Sequence, residues 1–107
     1  MKNQSKQMVT NALIKVINAA PRVSFQRNYM YPQTYQNNEV SMQEFNTWIN
    51  YANQVLDISY NHIGINDILT TKVKINQLYS FCGVTNTQRI DQIKQELFKL
   101  TQVILHY

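Results

Sequence analysis

The chain has 107 residues and a net charge of +4, with ten Lys and Arg against six Asp and Glu, a length that suits one compact domain and leaves no room for two. Hydrophobic residues make up 44% of it, enough for a core that needs neither metal nor disulfide support. A single cysteine, Cys82, excludes a disulfide framework and points to a reducing, cytoplasmic setting, and no apolar run approaches the roughly 18 residues a membrane span requires.

The first element is a helix from about Asn3 to Ala20. Val9, Leu13, Val16, Ile17 and Ala20 recur at helical spacing, and Pro21 closes the run because the residue before a proline is pushed out of the α region. Asn11, Lys15 and Asn18 interrupt the apolar residues, so the start does not read as a secretion signal.

A second helix is announced by Ser41 and Glu44, spaced as a capping box, with Val40 and Phe45 placed as the hydrophobic staple around it. Phe45, Ile49, Ala52, Leu56, Tyr60 and Ile63 continue one face, which Trp48 and Val55 widen. The only two glycines, Gly64 and Gly83, are each followed by an apolar residue, the pattern of a left-handed residue that ends a helix.

A third helix is expected from an Asn66 cap to Cys82, with Ile68, Leu69, Ile75, Leu78, Tyr79 and Phe81 as its apolar content. The β-branched stretch Thr70 to Ile75 offers a short strand as the alternative. The fourth helix opens on a second capping box, Thr85 with Gln88, and carries Ile90, Ile93, Leu97, Leu100, Ile104 and Tyr107 on one face. Short connections around Gly64 and Gly83 make the last three helices antiparallel neighbours, so the expected fold is all-α, a small bundle of about four helices.

Few residues offer chemistry. Two glycines cannot build a phosphate-cradling loop, and His62, His106 and Cys82 lack the i, i+3 or i, i+4 partners of a zinc site, so no cofactor or metal is expected. Ser59 and His62 are close enough on a helix to meet, but Asp57 is spaced to turn away from both, and His62 is better explained as a favourable charge at a helix C-terminus. Cys82 reads as an inert small hydrophobe, and no acid pair sits at helical spacing, so an enzyme is not expected.

The informative stretch is the long connection from Pro21 to Val40. It concentrates Arg22, Phe25, Arg27, Tyr29, Tyr31 and Tyr35 and holds no acid before Glu39. Tyr and Arg accumulate at recognition surfaces, because a rigid ring or planar guanidinium gives much contact area for little lost entropy, whereas solvated linkers are poor in aromatics. Those six residues are the expected partner-binding set. A competing assignment has some of the aromatics fold back over the helices, with Val23, Phe25, Tyr29 and Tyr31 alternating as an extended piece.

Charge divides unevenly along the chain. Lys2, Lys6, Lys15, Arg22 and Arg27 face no acid within residues 1–38, while all six acids follow. The expected function is therefore a protein-protein interaction module, a regulator or inhibitor docking on an acidic protein surface; the alternative is a nucleic-acid-binding regulator using the basic N-terminal third. Amides (13 Asn and 12 Gln) replace the missing charge on a surface where only 15% of residues are ionised, which favours self-association as a dimer. The abundance of residues with A/T-rich codons suggests a low-GC genome, and size and class suggest a phage or mobile element.

Overall fold

A computed structural model describes residues 3–22 and 40–107, and within them the chain forms four helices: α1 (Asn3–Asn18), α2 (Met42–Ile63), α3 (Asn66–Ser80) and α4 (Asn86–Leu105). The stretch Thr70 to Ile75 lies inside α3, so the strand alternative falls. Tertiary burial of Ile75 on a helical face outweighs the local β preference of T-T-K-V-K-I.

Cross-helix bonds fix the directions. Trp48 near the start of α2 donates its indole N–H to the Val16 carbonyl near the end of α1 (2.8 Å), so these two helices run antiparallel. Asn46 accepts from Tyr79 (2.9 Å) while Asp57 pairs with Lys72 (2.5 Å), which makes α2 and α3 antiparallel. Arg89 reaches Tyr79 and Glu96 reaches Lys74, so α3 and α4 are antiparallel, and Lys6 at one end of α1 donates to the Tyr107 carbonyl just beyond α4 (2.6 Å). The result is an up-down-up-down ring in which α1 closes against α4.

One apolar stripe from each helix fills the interior. Leu13 and Val16 from α1, Phe45 and Leu56 from α2, Ile68 and Ile75 from α3, and Ile93, Leu97 and Ile104 from α4 are all inaccessible to solvent. Leu69, Phe81 and Tyr107, expected on the same faces, are exposed instead. Leu69 sits off the face that Ile68 and Ile75 turn inward, and Phe81 and Tyr107 follow the last helical residues of α3 and α4.

Both helices start at the expected cap residue, but only the second forms the full reciprocal box. Ser41 Oγ accepts from the Glu44 amide (3.2 Å), and Thr85 and Gln88 form the complete reciprocal box at 3.1 and 3.3 Å. Val40 and Phe45 are both buried in the core, as the staple requires. Gly64 ends α2 in the left-handed region (φ 60°), its N–H bonded to the Tyr60 carbonyl at 2.8 Å, with Ile65 buried behind it.

Three boundaries differ from the sequence expectation. The first helix stops at Asn18, and Ala19 and Ala20 complete a tighter turn before Pro21. Ile65 occupies the cap position of α3 in extended conformation without a side-chain bond, and Asn66 is already helical, because the short junction after Gly64 must bury Ile65. The helix α3 ends at Ser80, so Cys82 and Gly83 lie in the connection that follows. Gly83 does take a positive φ of 88°, but it is not the residue that ends the helix, and Cys82 is an exposed thiol.

Candidate interaction surface

The long connection leaves and rejoins the bundle at points the structure defines. Arg22, exposed, follows Pro21 at the end of α1. At the other side Val40 is buried, its N–H donates to Thr87 Oγ1 (3.3 Å) and its carbonyl accepts from Asn86 Nδ2 (2.9 Å), which fastens the start of α2 to the first turn of α4. Of the expected partner-binding residues, Arg22 is placed on the surface; Phe25, Arg27, Tyr29, Tyr31 and Tyr35 lie outside the described residues.

Beside that exit the surface is concave. Ala19 and Pro21, just after α1, and Gln43, Glu44, Thr47, Trp48 and Tyr51 from the start of α2 line a groove of roughly 570 Å³. It exists because the indole of Trp48 is drawn inward: its N–H donates to the Val16 carbonyl, which also accepts from the Ala19 amide in the turn that closes α1, and its ring becomes a wall. Among the described residues Glu44 supplies the one acid at this rim.

The same side of the molecule continues as a second, smaller groove between α1 and α2. Met8, Val9, Ala12, Val55, Ile58, Ser59 and His62 line it, with a volume near 120 Å³. Met8 and Ile58 remain about half exposed there. Ser59 is buried and His62 exposed on this side, whereas Asp57 is committed to Lys72 on α3, so the three residues do not come together.

Basic side chains are largely engaged within the bundle. Lys74 and Lys99 both pair with Glu96 (3.3 and 3.4 Å), and Lys72 with Asp57. Arg89 is the most committed of all: Nη1 donates to the carbonyls of Tyr79 (2.5 Å) and Phe81 (3.1 Å), Nη2 to Asn86 Oδ1, and the guanidinium lies 5.2 Å from the Phe45 ring centre. It therefore caps the end of α3 from a distance, a role no local spacing in the sequence announces.

Among the described residues no group of three potential metal ligands clusters, and no helix is long and apolar enough to cross a membrane. A third concavity, of about 530 Å³, lies between α1 and α4 and is lined by Ile17, Asp91, Lys94, Gln95, Phe98 and Lys99. Sequence reasoning identified none of these grooves, because each is made by the gap between two helices rather than by a residue pattern. No family model matches the chain, and no curated protein or solved structure is significantly similar to it.

Proposed function

We propose that this protein is a small interaction module that docks on another protein and modulates it as a regulator or inhibitor. The observation that carries the reading is the groove walled by Trp48 and Tyr51 immediately beside Arg22, where the Arg- and Tyr-rich connection starts. A concavity walled by aromatic side chains at the start of a segment whose sequence holds Arg22, Phe25, Arg27, Tyr29, Tyr31 and Tyr35 is the combination of pocket and anchor residue types that dominates protein interfaces. The absence of acids in residues 1–38 favours a partner with an acidic surface. Cytoplasmic location, a low-GC phage or mobile element as the source, and self-association complete this reading.

Nucleic-acid binding is the second reading, supported by the same acid-free N-terminal third with Lys6, Lys15 and Arg22 on it. It is the weaker one because Lys72, Lys74, Arg89 and Lys99 already have partners inside the fold. Salt separates the two. Immobilised full-length protein incubated with a lysate of its host should retain a defined polypeptide both at about 0.1 M and at about 0.5 M salt, whereas bound nucleic acid would be lost steeply over that range. Retention of nucleic acid alone, released by salt, overturns the protein-docking reading.

A further inference from the structure

The four helices are not held alike. α2 and α3 are stitched by Lys72 with Asp57 (2.5 Å), Tyr79 with Asn46 (2.9 Å) and the paired amides of Asn53 and Asn76 (3.1 and 2.8 Å). α3 and α4 are stitched by Lys74 with Glu96 (3.3 Å) and by Arg89 with the Tyr79 and Phe81 carbonyls. Only Gly64 and Ile65 separate α2 from α3, and only Phe81 to Thr85 separate α3 from α4.

Helix α1 differs on both counts. Among the described residues its polar bonds to the rest of the bundle are the one from the Trp48 indole to the Val16 carbonyl (2.8 Å) and the exposed one from Lys6 Nζ to the Tyr107 carbonyl (2.6 Å), and it makes no ion pair. Residues 22–39 separate it from Val40, a covalent reach on the order of 60 Å when extended, so the length of the link does not itself keep α1 in place. The near end of α2 has its own anchor, because Val40 is bonded to Asn86 and Thr87 of α4. What docks α1 is apolar: Val9, Leu13 and Val16 fill the space between α2 and α4, which scarcely touch each other across the ring.

We propose that α1 is a latch, a helix that undocks and redocks as a unit while α2, α3 and α4 stay folded. The argument rests on what each opening must break. α3 buries fewer apolar residues than α1, only Ile68 and Ile75, yet its release would tear the bonds to both neighbours with both of its ends on short connections. Release of α1 gives up its apolar stripe and two bonds to carbonyls. The position of the latch also determines whether the groove beside Arg22 exists. Ala19 and Pro21, just after α1, make one of its walls and Trp48 and Tyr51 the other, so undocking takes the groove apart. By linkage, a ligand seated in that groove holds α1 down; this consequence rests on the docking reading above, whereas the latch itself does not.

Native-state hydrogen exchange of the full chain, with no partner present, tests the latch. The amides from Val9 to Val16 should exchange at least tenfold faster than the slowest amides of α4, and with a weaker dependence on urea, because opening α1 exposes less surface than unfolding the whole chain. The discriminating variant is Ile75→Val, in a helix whose backbone does not come within contact distance of α1. Trimming one methyl group from this fully buried site should speed the slowest amides of α4 about three- to tenfold. It should leave those of α1 unchanged, since α3 is folded in both positions of the latch. The proposal is overturned by an α1 that exchanges as slowly as α4, by an α1 whose rate rises in step with α4 in Ile75→Val, or by an α3 that exchanges ahead of α1. None of these outcomes bears on whether a partner protein docks.

Discussion

The guanidinium of Arg89 stands 5.2 Å from the centre of the Phe45 ring, and Tyr79 meets the same ring edge-on at 4.8 Å. Phe45 is wholly buried in the first turns of α2, Tyr79 closes α3 and Arg89 opens α4, so this contact joins three helices at one end of the bundle. Through its bonds to Tyr79, Phe81 and Asn86, and through the bond from Asn86 to Val40, the cluster also sets where the long connection returns.

Arg89→Ala should therefore cost about 2–3 kcal/mol, because it removes charge-assisted bonds to carbonyls at a helix end together with a cation-π contact. Arg89→Lys should recover less than half of that, since an ammonium cannot reproduce the fork that spans Tyr79, Phe81 and Asn86. Urea unfolding of the two variants beside the wild type measures both. Equal stability of Lys and Arg at this position would show that charge alone, not the planar geometry, matters.

Gly64→Ala should destabilise by about 1–2 kcal/mol, the strain of a side chain in the left-handed region, and Gly64→Asn by distinctly less. The nearest atom to an added Cβ is the Tyr60 carbonyl oxygen at 4.0 Å, so the cost is conformational rather than a clash. Thermal unfolding of the pair separates the two causes: a clash would penalise Asn more than Ala.

Asn53 and Asn76 exchange amide bonds across α2 and α3, at 3.1 and 2.8 Å, while each donates back to the carbonyl four residues earlier. Both are partly buried, so replacing either one by Ala leaves the other short of a partner at a cost of about 1–2 kcal/mol. The double Ala variant should be less destabilised than the sum of the singles, by about 0.5–1.5 kcal/mol. A double-mutant cycle by chemical denaturation reads this directly, and strict additivity would mean that the two amides do not act together.

Tyr107 is held above its ordinary pKa of 10.0, first by the charge of Asp67, then by loss of solvent, then by its hydrogen bond to the Asp67 carboxyl. Its raised folded-state value means that the neutral phenol is favoured by folding. The contribution is present in full below the unfolded pKa and is lost as pH rises through the higher folded value. Stability should therefore fall above pH 10 less steeply in Tyr107→Phe than in the wild type. Urea midpoints compared between about pH 9 and about pH 11 check the sign, and identical slopes would remove Asp67 as an influence on the phenol.

What was legible in the sequence follows from how local each signal is. The capping residues Ser41 and Thr85 and the apolar faces behind them act within one turn, and they placed α2 and α4 correctly. Gly64 worked for the same reason, since its left-handed φ is required by the turn it makes. The end of α3 was misplaced because its cap comes from Arg89, eight and ten residues beyond the carbonyls it binds. Amides counted as solvating surface are in part internal fastenings: Asn53 and Asn76 bind each other across α2 and α3, and Asn86 holds the Val40 carbonyl ahead of α2. Of the candidate interface, composition marked the connection after Pro21, but the neighbouring wall of Trp48 and Tyr51 arises only when α1 and α2 pack.

The most direct measurement of the central claim is the affinity for the captured partner protein of a variant carrying Ala at Arg27, Tyr31 and Tyr35, determined by calorimetry alongside circular dichroism. A buried Tyr or Arg anchor contributes about 2 kcal/mol or more, so the loss should be at least about 30-fold with an unchanged helical spectrum. A variant that stays helical and binds as tightly as the wild type, or one that unfolds because those side chains belong to the core, would contradict the assignment of recognition to the connection between α1 and α2.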